Sequence, residues 1–356
     1  MKIHSYLLVG TTLKHFVSML IRNRGFSYKH LNRILFILNA GLWSSIFAFV
    51  EKLSYKQKIE NEALFDNPIF IIGNWRTGST YLFQLLSLDP QFNYPTFFQA
   101  SNPDHLLVSK RFFGPVMSKF IGNKRPMDNV RAGIDEPQED EYALIKICKE
   151  SMLEDFVFSK RNTFFLDGIT DFSPRNEKAF INALKQFLKK INLSKKGQNL
   201  LKNPFHSLRI PMLNKAFPKA KYIHIYRNPK DVVPSTIHMW NIFGTQNILK
   251  GKWQKPNIEQ IANLYKHIVN TIRSEFPKLK KGQYVEIKYE ELEINPVENV
   301  KLIYEQLNLH FTLEYEHILI DYCKKNKDYK KNKFNLTEKE LESIKRLMQD
   351  TFPEYY

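Results

Sequence analysis

Two glycines separated by four residues frame a run of donors in Gly73-Asn74-Trp75-Arg76-Thr77-Gly78-Ser79-Thr80. The spacing is that of a phosphate-binding loop, yet Ser79 and Thr80 stand where such a loop carries lysine followed by serine or threonine. Before it, Pro68-Ile69-Phe70-Ile71-Ile72 reads as a buried strand, and after it Ser79 to Leu86 reads as a helix that ends before Asp89-Pro90. A loop placed there aims the first helical N–H groups and the positive end of the helix dipole at an anion. Thr77, Ser79 and Thr80 add hydroxyl groups, and Arg76 adds a planar fork suited to phosphate or sulfate oxygens. A plain strand-to-helix turn that needs glycine for its dihedrals has the same letters.

A second segment weighs against that plain turn. In Lys221-Tyr222-Ile223-His224-Ile225-Tyr226-Arg227-Asn228-Pro229-Lys230-Asp231-Val232-Val233-Pro234-Ser235, a strand delivers an arginine to its carboxyl end and a serine follows eight positions later. Open parallel sheets bind ligands at that end of their strands, so Arg227 and Ser235 are placed to hold one more phosphate.

The ordered pair resembles the sulfotransferases that use 3′-phosphoadenosine 5′-phosphosulfate (PAPS). Arg76-Thr77-Gly78-Ser79-Thr80 matches that family's 5′-phosphosulfate loop, and Arg227 through Ser235 its 3′-phosphate motif. Leu201-Lys202-Asn203-Pro204-Phe205-His206 is similar to a Lys-Ser-Pro-x-His stretch of bacterial members, and Tyr289-Glu290-Glu291-Leu292 with Asn295-Pro296 extends the likeness over roughly Pro68 to Phe352. The resemblance implies a P-loop-like α/β fold, a three-layer sandwich with a central parallel sheet flanked by helices. It also implies transfer of a sulfuryl group from PAPS, with no metal required, to the hydroxyl of a small acceptor. Cofactor contacts would fall to Arg76, Thr77, Gly78, Ser79, Thr80, Tyr81, Arg227 and Ser235. The absent lysine then has a reason: PAPS presents a 5′-phosphosulfate and a distant 3′-phosphate and calls for two basic sites, whereas a nucleoside triphosphate calls for one site with a metal.

Transfer to a hydroxyl also needs a group to take its proton. The densest candidates are in Asp135-Glu136-Pro137-Gln138-Glu139-Asp140-Glu141-Tyr142, preceded by Arg125-Pro126-Met127-Asp128-Asn129. Both pieces look like segments of one bacterial branch of the family. Pro137 in a first helical turn with acids at the positive helix end would be ordinary capping. Acids crowded on one turn would also raise at least one pKa. Glu139 is the first candidate for the base and Glu136 the second, with His206 and His105 as rivals; Lys202 is the candidate helper cation. Lys330-Lys331-Asn332-Lys333 occupies the place of a basic cofactor loop in relatives but departs from its pattern.

These groups need a sheet to hold them. Ile69 to Ile72, Leu200 to Leu201, Tyr222 to Tyr226 and Tyr284 to Lys288 read as strands. Ile258, Ile261, Tyr265, Ile268 and Ile272, like Val297, Val300, Ile303 and Leu307, follow helical spacing. The simplest partition is a helical N-terminal extension over 1–66 and a catalytic domain over 67–356.

The extension has its own chemistry. It holds two expected helices, Tyr6 to Ile21 and Leu31 to Phe49, and residues 1–50 carry Lys2, Lys14, Arg22, Arg24, Lys29 and Arg33 with no acidic residue. Three readings stay open: a cap on the domain, peripheral membrane contact, and a span. The whole chain carries a formal net charge of +17 and so attracts polyanions. Cys148 and Cys323 form no disulfide framework or zinc motif, which fits the cytoplasm, with docking at the inner membrane face as one option. With 28 Phe and 14% aromatic residues, a lipophilic acceptor such as a sterol or another lipid alcohol is favoured over a carbohydrate. A nucleotide kinase and a non-catalytic binder of nucleic acid or membrane are the competing classes.

Overall fold

The computed structural model describes residues 7–121, 132–149, 151–158, 173–326 and 334–356. In chain order the elements begin with α1 (Leu13–Arg22), α2 (Leu31–Asn61), β1 (Ile69–Ile72), α3 (Ser79–Ser87), β2 (Phe92–Asn93), α4 (Phe97–Ser101) and α5 (Leu106–Phe120). They continue with α6 (Glu141–Ile147), α7 (Glu154–Phe158), α8 (Pro174–Ser194), β3 (Gln198–Lys202), α9 (Ile210–Ala216), β4 (Lys221–Tyr226) and α10 (Pro229–Asn247). The last are α11 (Ile258–Glu275), β5 (Tyr284–Lys288), α12 (Tyr289–Ile294), α13 (Pro296–Gln306), α14 (Leu313–Lys325) and α15 (Glu338–Met348). By packing, the chain forms two compact units, one of residues 1–64, 95–196 and 240–255 and one of 65–94, 197–239 and 256–356. The N-terminal helices thus share a unit with two later segments.

The second unit holds the sheet, five parallel strands in the order β2-β3-β1-β4-β5. The central strand β1 is buried on both faces and reads as a continuous apolar run, whereas the edge strand β5 alternates exposed and buried residues. One face sends Ile69, Ile71, Ile223, Ile225, Val285 and Ile287 into a core with Leu82 and Leu85 of α3 and Val300 and Ile303 of α13. On the other, Phe70 stacks on Tyr222 at 5.6 Å and meets His206 edge-on at 5.3 Å. The α/β sandwich expected from the sequence is present. Because β1 leads toward β2 at one side while β4 leads toward β5 at the other, the chain reverses its direction of travel between β1 and β4. Such a reversal opens a crevice at the strands' carboxyl ends.

The first unit is helical. α1 and α2 pack together, α2 packs on α5 and α8, and α6 packs on α4 and α8. The expected helix Tyr6 to Ile21 is shorter in the structure: Leu7 to Gly10 form turns, and Thr12 is extended (φ −71°, ψ 150°), so helical backbone starts at Leu13. The expected Leu31 to Phe49 is longer. It runs on to Asn61, carried by strong helix formers such as Lys52, Lys56, Gln57 and Lys58.

Candidate functional site

β1 ends in the loop 73–78, and its backbone dictates its composition. Gly73 (φ 134°) passes so close to β4 that a Cβ would lie 2.4 Å from the Ile225 carbonyl oxygen. Gly78 (φ 90°) caps α3, and a Cβ there would lie 2.0 Å from Cδ2 of Tyr289. Arg76 also adopts left-handed backbone (φ 67°), which costs a non-glycine residue about 1–2 kcal/mol.

Buried hydrogen bonds hold this shape. Gly73 N–H donates to Ser207 Oγ at 2.9 Å, and the Thr77 hydroxyl donates to the Asn74 carbonyl at 2.8 Å. Thr77 is fully buried, so its hydroxyl braces the loop. The first N–H groups of α3, from Ser79 to Tyr81, have no intrahelical acceptor by the geometry of any α-helix, and they converge at its positive end. Tyr81 is half-buried, and burial together with its contact to the Cys323 thiol pushes its hydroxyl pKa up. Trp75, without a role in the sequence reading, is buried edge-on against Phe205 at 4.8 Å and packs beneath the loop.

β4 supplies the second half. Tyr265 of α11 clamps the backbone of Arg227: it accepts from the N–H at 3.1 Å and donates to the carbonyl at 2.8 Å. Asn228 N–H donates to Glu290 Oε1 at 3.0 Å, and Glu290 Oε2 accepts from the Tyr355 hydroxyl at 2.8 Å. The Arg227 guanidinium lies 4.6 Å from the centre of the Tyr289 ring and pairs with Asp231 at 2.9 Å, the i+4 position of the helix start. Its Nε is buried without a protein hydrogen-bond partner among the described residues. Ser235, buried on α10, accepts a hydrogen bond from Arg76 Nε at 2.9 Å. The two motifs therefore meet.

The neighbouring strand β3 ends in Lys202, whose side chain is buried. It lies one strand from β1, about 5 Å across the sheet, at the same carboxyl edge. His206 follows in a short 3-10 turn, fully buried, with Nδ1 3.5 Å from Arg209 Nη1.

An anion fits this edge on two observations. A helix N-terminus points at the loop, and the Arg227 Nε is an orphan donor among the described residues. Two arginines at adjacent strand ends suit a ligand with two separated anionic groups. Arg76, the loop N–H groups, Arg227 and Ser235 would hold it.

In the helical unit, the acidic turn has a different local structure from the one expected. Pro137 is not in a first helical turn: it forms a β-bridge with Thr96, and α6 begins only at Glu141. Phe97 N–H donating to the Glu136 carbonyl (2.9 Å) and Gln138 N–H donating to the Pro95 carbonyl (2.8 Å) draw the segment out as extended backbone. The acids separate accordingly. Asp135 is exposed and pairs with Lys110 at 2.6 Å, while Asp140 and Glu141 are buried, Glu141 accepting from the Ser151 hydroxyl at 2.8 Å. Glu136 and Glu139 are half-buried, the condition a base that meets both protein and substrate requires. His105 is buried with Nδ1 2.7 Å from Ser109 Oγ, and loss of hydration pushes its pKa down to about 4. The segments Arg125 to Asn129 and Lys330 to Lys333 lie outside the described residues.

Sequence reasoning missed the supports: Ser207 on Gly73, Tyr265 on Arg227, and Tyr289 beneath both Gly78 and Arg227. Tyr289 and Glu290 stood in a stretch noted for resemblance alone. No local signal marks Tyr265, because its residue type and spacing are those of any buried helical tyrosine.

Known proteins resemble this chain in sequence and in fold. A model of the sulfotransferase family matches residues 68–312. The omega-hydroxy-beta-dihydromenaquinone-9 sulfotransferases Stf3 of Mycobacterium bovis and Mycobacterium tuberculosis are each 30% identical, covering 93% of this chain and 86% of theirs. Among solved structures, the sulfotransferase STF9 from Mycobacterium avium superposes with a TM-score of 0.68 at 18% identity, covering 92% of this chain and 86% of that one. STF1 from Mycobacterium tuberculosis gives 0.57 at 15% identity, covering 95% and 92%. At such identities the structural likeness speaks to the fold.

Proposed function

The chain belongs to the sulfotransferase family, and from that membership we propose that it moves the sulfuryl group of PAPS to the hydroxyl of a lipophilic alcohol, releasing adenosine 3′,5′-bisphosphate. The hydrogen bond from Arg76 to Ser235 carries the reading, because it joins two anion-binding motifs 159 positions apart at one sheet edge. The acceptor class draws support from the relatives named for an omega-hydroxylated dihydromenaquinone. By that likeness the acceptor is a long isoprenoid or sterol-like lipid carrying a hydroxyl group, in preference to a carbohydrate.

Bound PAPS would supply an activated sulfuryl group and a phosphate leaving group. Arg76 and the N–H groups of Ser79, Thr80 and Tyr81 hold the 5′ end and oppose the negative charge that grows there as the S–O bond breaks. Arg227 and Ser235 hold the 3′-phosphate. Lys202 adds a cation at the same edge of the sheet. Glu139 takes the acceptor's hydroxyl proton as the new O–S bond forms, a role for which Glu136 and His206 are the alternatives.

The test is a screen of hydroxylated lipids, sterols and sugars with radiolabelled PAPS, with and without EDTA. Label is expected in a lipid alcohol, and transfer should survive the chelator. Transfer confined to sugars would overturn the acceptor class. Phosphoryl transfer from a nucleoside triphosphate with strict Mg²⁺ dependence would overturn the reaction.

A further inference from the structure

Eleven of the nineteen large apolar side chains that stand exposed among the described residues fall between Val17 and Leu53. Along α2 they form a stripe. Leu31, Leu35, Leu42, Ile46, Phe49 and Leu53 are exposed, at steps of three, four and seven residues, so they share one helix face about 33 Å long. Phe49 is 62% exposed and Leu53 70%. Trp43 and Val50 flank the stripe. α1 and α5, which pack on α2, each add an exposed apolar pair at i and i+4, Val17 with Ile21 and Phe112 with Val116.

The opposite face of α2 is the one the protein covers, and it mixes the buried Ile34, Ile37 and Ile59 with small and polar residues. Gly41 lies against the backbone of Thr11 and Leu13, Ser44 is buried, and Glu51 is buried against the Leu107 N–H at 2.7 Å and Lys190 at 2.7 Å. A helix on a water-soluble surface keeps its apolar residues to the covered face, whereas α2 carries large apolar side chains on both. Around the stripe the exposed charges of α1, of the connection and of α2 as far as Lys58 are positive: Lys14, Arg24, Lys29, Lys52, Lys56 and Lys58; the exposed Glu60 follows in the last turn of α2. Residues 1–50 include no Asp or Glu.

We propose that this face is a docking surface for an anionic lipid bilayer. α2 lies in the plane of the membrane, with its outer stripe at the acyl boundary and the flanking cations among the headgroups. α2 has the length and apolarity of a span, but a span would separate Glu51 from Lys190 and leave its carboxylate in hydrocarbon. A second copy of the chain would cover the stripe but would bring like charges together across the interface. An anionic membrane satisfies both the apolar stripe and its basic margin.

The value of docking to catalysis rests on the lipid acceptor proposed above, but the surface itself is tested without any donor. The full chain is sedimented with vesicles of phosphatidylcholine alone and of phosphatidylcholine with phosphatidylglycerol. Emission of Trp43 is isolated by difference against Trp43→Phe, since Trp75 and Trp240 are buried and Trp253 half-buried. Binding is expected on the anionic vesicles, weaker on the neutral ones and weakened by salt. Trp43 emission should shift to the blue and be quenched most by bromines near the headgroup end of the acyl chain. Ile46→Asp with Phe49→Asp should reduce partitioning about tenfold or more, with melting temperature and turnover of a short water-soluble alcohol unchanged. Lys52→Glu with Lys56→Glu should abolish the preference for anionic vesicles.

Failure of the wild-type chain to bind vesicles would overturn the proposal, as would self-association lost in the Ile46→Asp, Phe49→Asp variant or strongest quenching at the bilayer centre. The wild-type quenching profile decides the matter even if that variant misfolds. Vesicle binding without transfer to any hydroxylated acceptor would support the surface and defeat the function proposed above.

Discussion

Arg76 Nε donates to Ser235 Oγ across 2.9 Å, tying the loop after β1 to the helix after β4. Arg76 holds left-handed backbone to make that contact (φ 67°). A strained position at the edge proposed to bind PAPS points to use. Arg76→Ala is expected to lower kcat about 100-fold or more, the loss typical of one well-aimed donor to developing charge. Arg76→Lys should recover part of it, because a point charge replaces the fork. Steady-state transfer at saturating PAPS measures both, and a wild-type kcat in the alanine variant would sink the assignment.

Arg227 should act chiefly on binding. Removing a charged donor to phosphate costs about 1.5–3 kcal/mol, so Arg227→Ala should raise the Kd for adenosine 3′,5′-bisphosphate roughly 10- to 150-fold. Calorimetry with the analogue that lacks the 3′-phosphate should show almost no further loss. Equal losses for both ligands would move Arg227 away from the 3′-phosphate.

Gly78 is fixed by geometry twice over, by φ 90° and by the Tyr289 ring 2.0 Å from where a Cβ would sit. Gly78→Ala is expected to cost at least about 1–2 kcal/mol for the backbone alone. Thermal melting should show a fall of a few degrees, and PAPS affinity should fall with it. An unshifted melting temperature with intact binding would mean that the loop can relax around the methyl group.

Proton removal separates the two half-buried acids. Glu139→Gln should lower kcat by about 100- to 10,000-fold while leaving the Kd for PAPS unchanged. Should Glu136→Gln or His206→Asn produce that split and Glu139→Gln not, the role belongs to that residue.

One acid-dependent contribution to stability sits in the sheet unit. Burial alone would raise the Glu286 carboxyl, but hydrogen bonds and charge from His224 (2.7 Å) and Arg273 (2.9 Å) outweigh it and hold the pKa at about 2, against 4.5 for the free side chain. A depressed carboxyl stabilises the fold above its unfolded pKa and loses that contribution as pH falls toward its folded one. The loss attributable to Glu286 should therefore fall between pH 4.5 and about 2. Melting temperature followed through that window should drop less steeply in Glu286→Gln than in wild type; parallel curves would rule the linkage out.

Much of this molecule is readable along the chain. Ile69 to Ile72 and Tyr284 to Lys288 are strands over the residues expected, while Leu200 to Leu201 grows by three residues and Tyr222 to Tyr226 by one. The helices from Ile258 and Val297 follow their spacing. The acidic turn misleads because Pro137 suits a helix start and an extended bridge equally well, and Thr96, forty-one positions away, chooses the bridge. Along α2, apolar residues occupy so much of the circumference that periodicity could not say which side the protein would cover.

The sequence by itself determined the strands, the glycine loop and the two arginine motifs, because each depends on neighbours within one turn or one strand. Tertiary structure decided what those parts touch. It set Tyr289 under Gly78 and Arg227, clamped Arg227 with Tyr265, joined Arg76 to Ser235, and turned inward the face of α2 that carries Gly41, Ser44 and Glu51. The physical reason is range. Hydrogen bonding within an element is local, whereas these contacts join residues from 38 to more than 200 positions apart, and sheet register and burial alone bring them within reach.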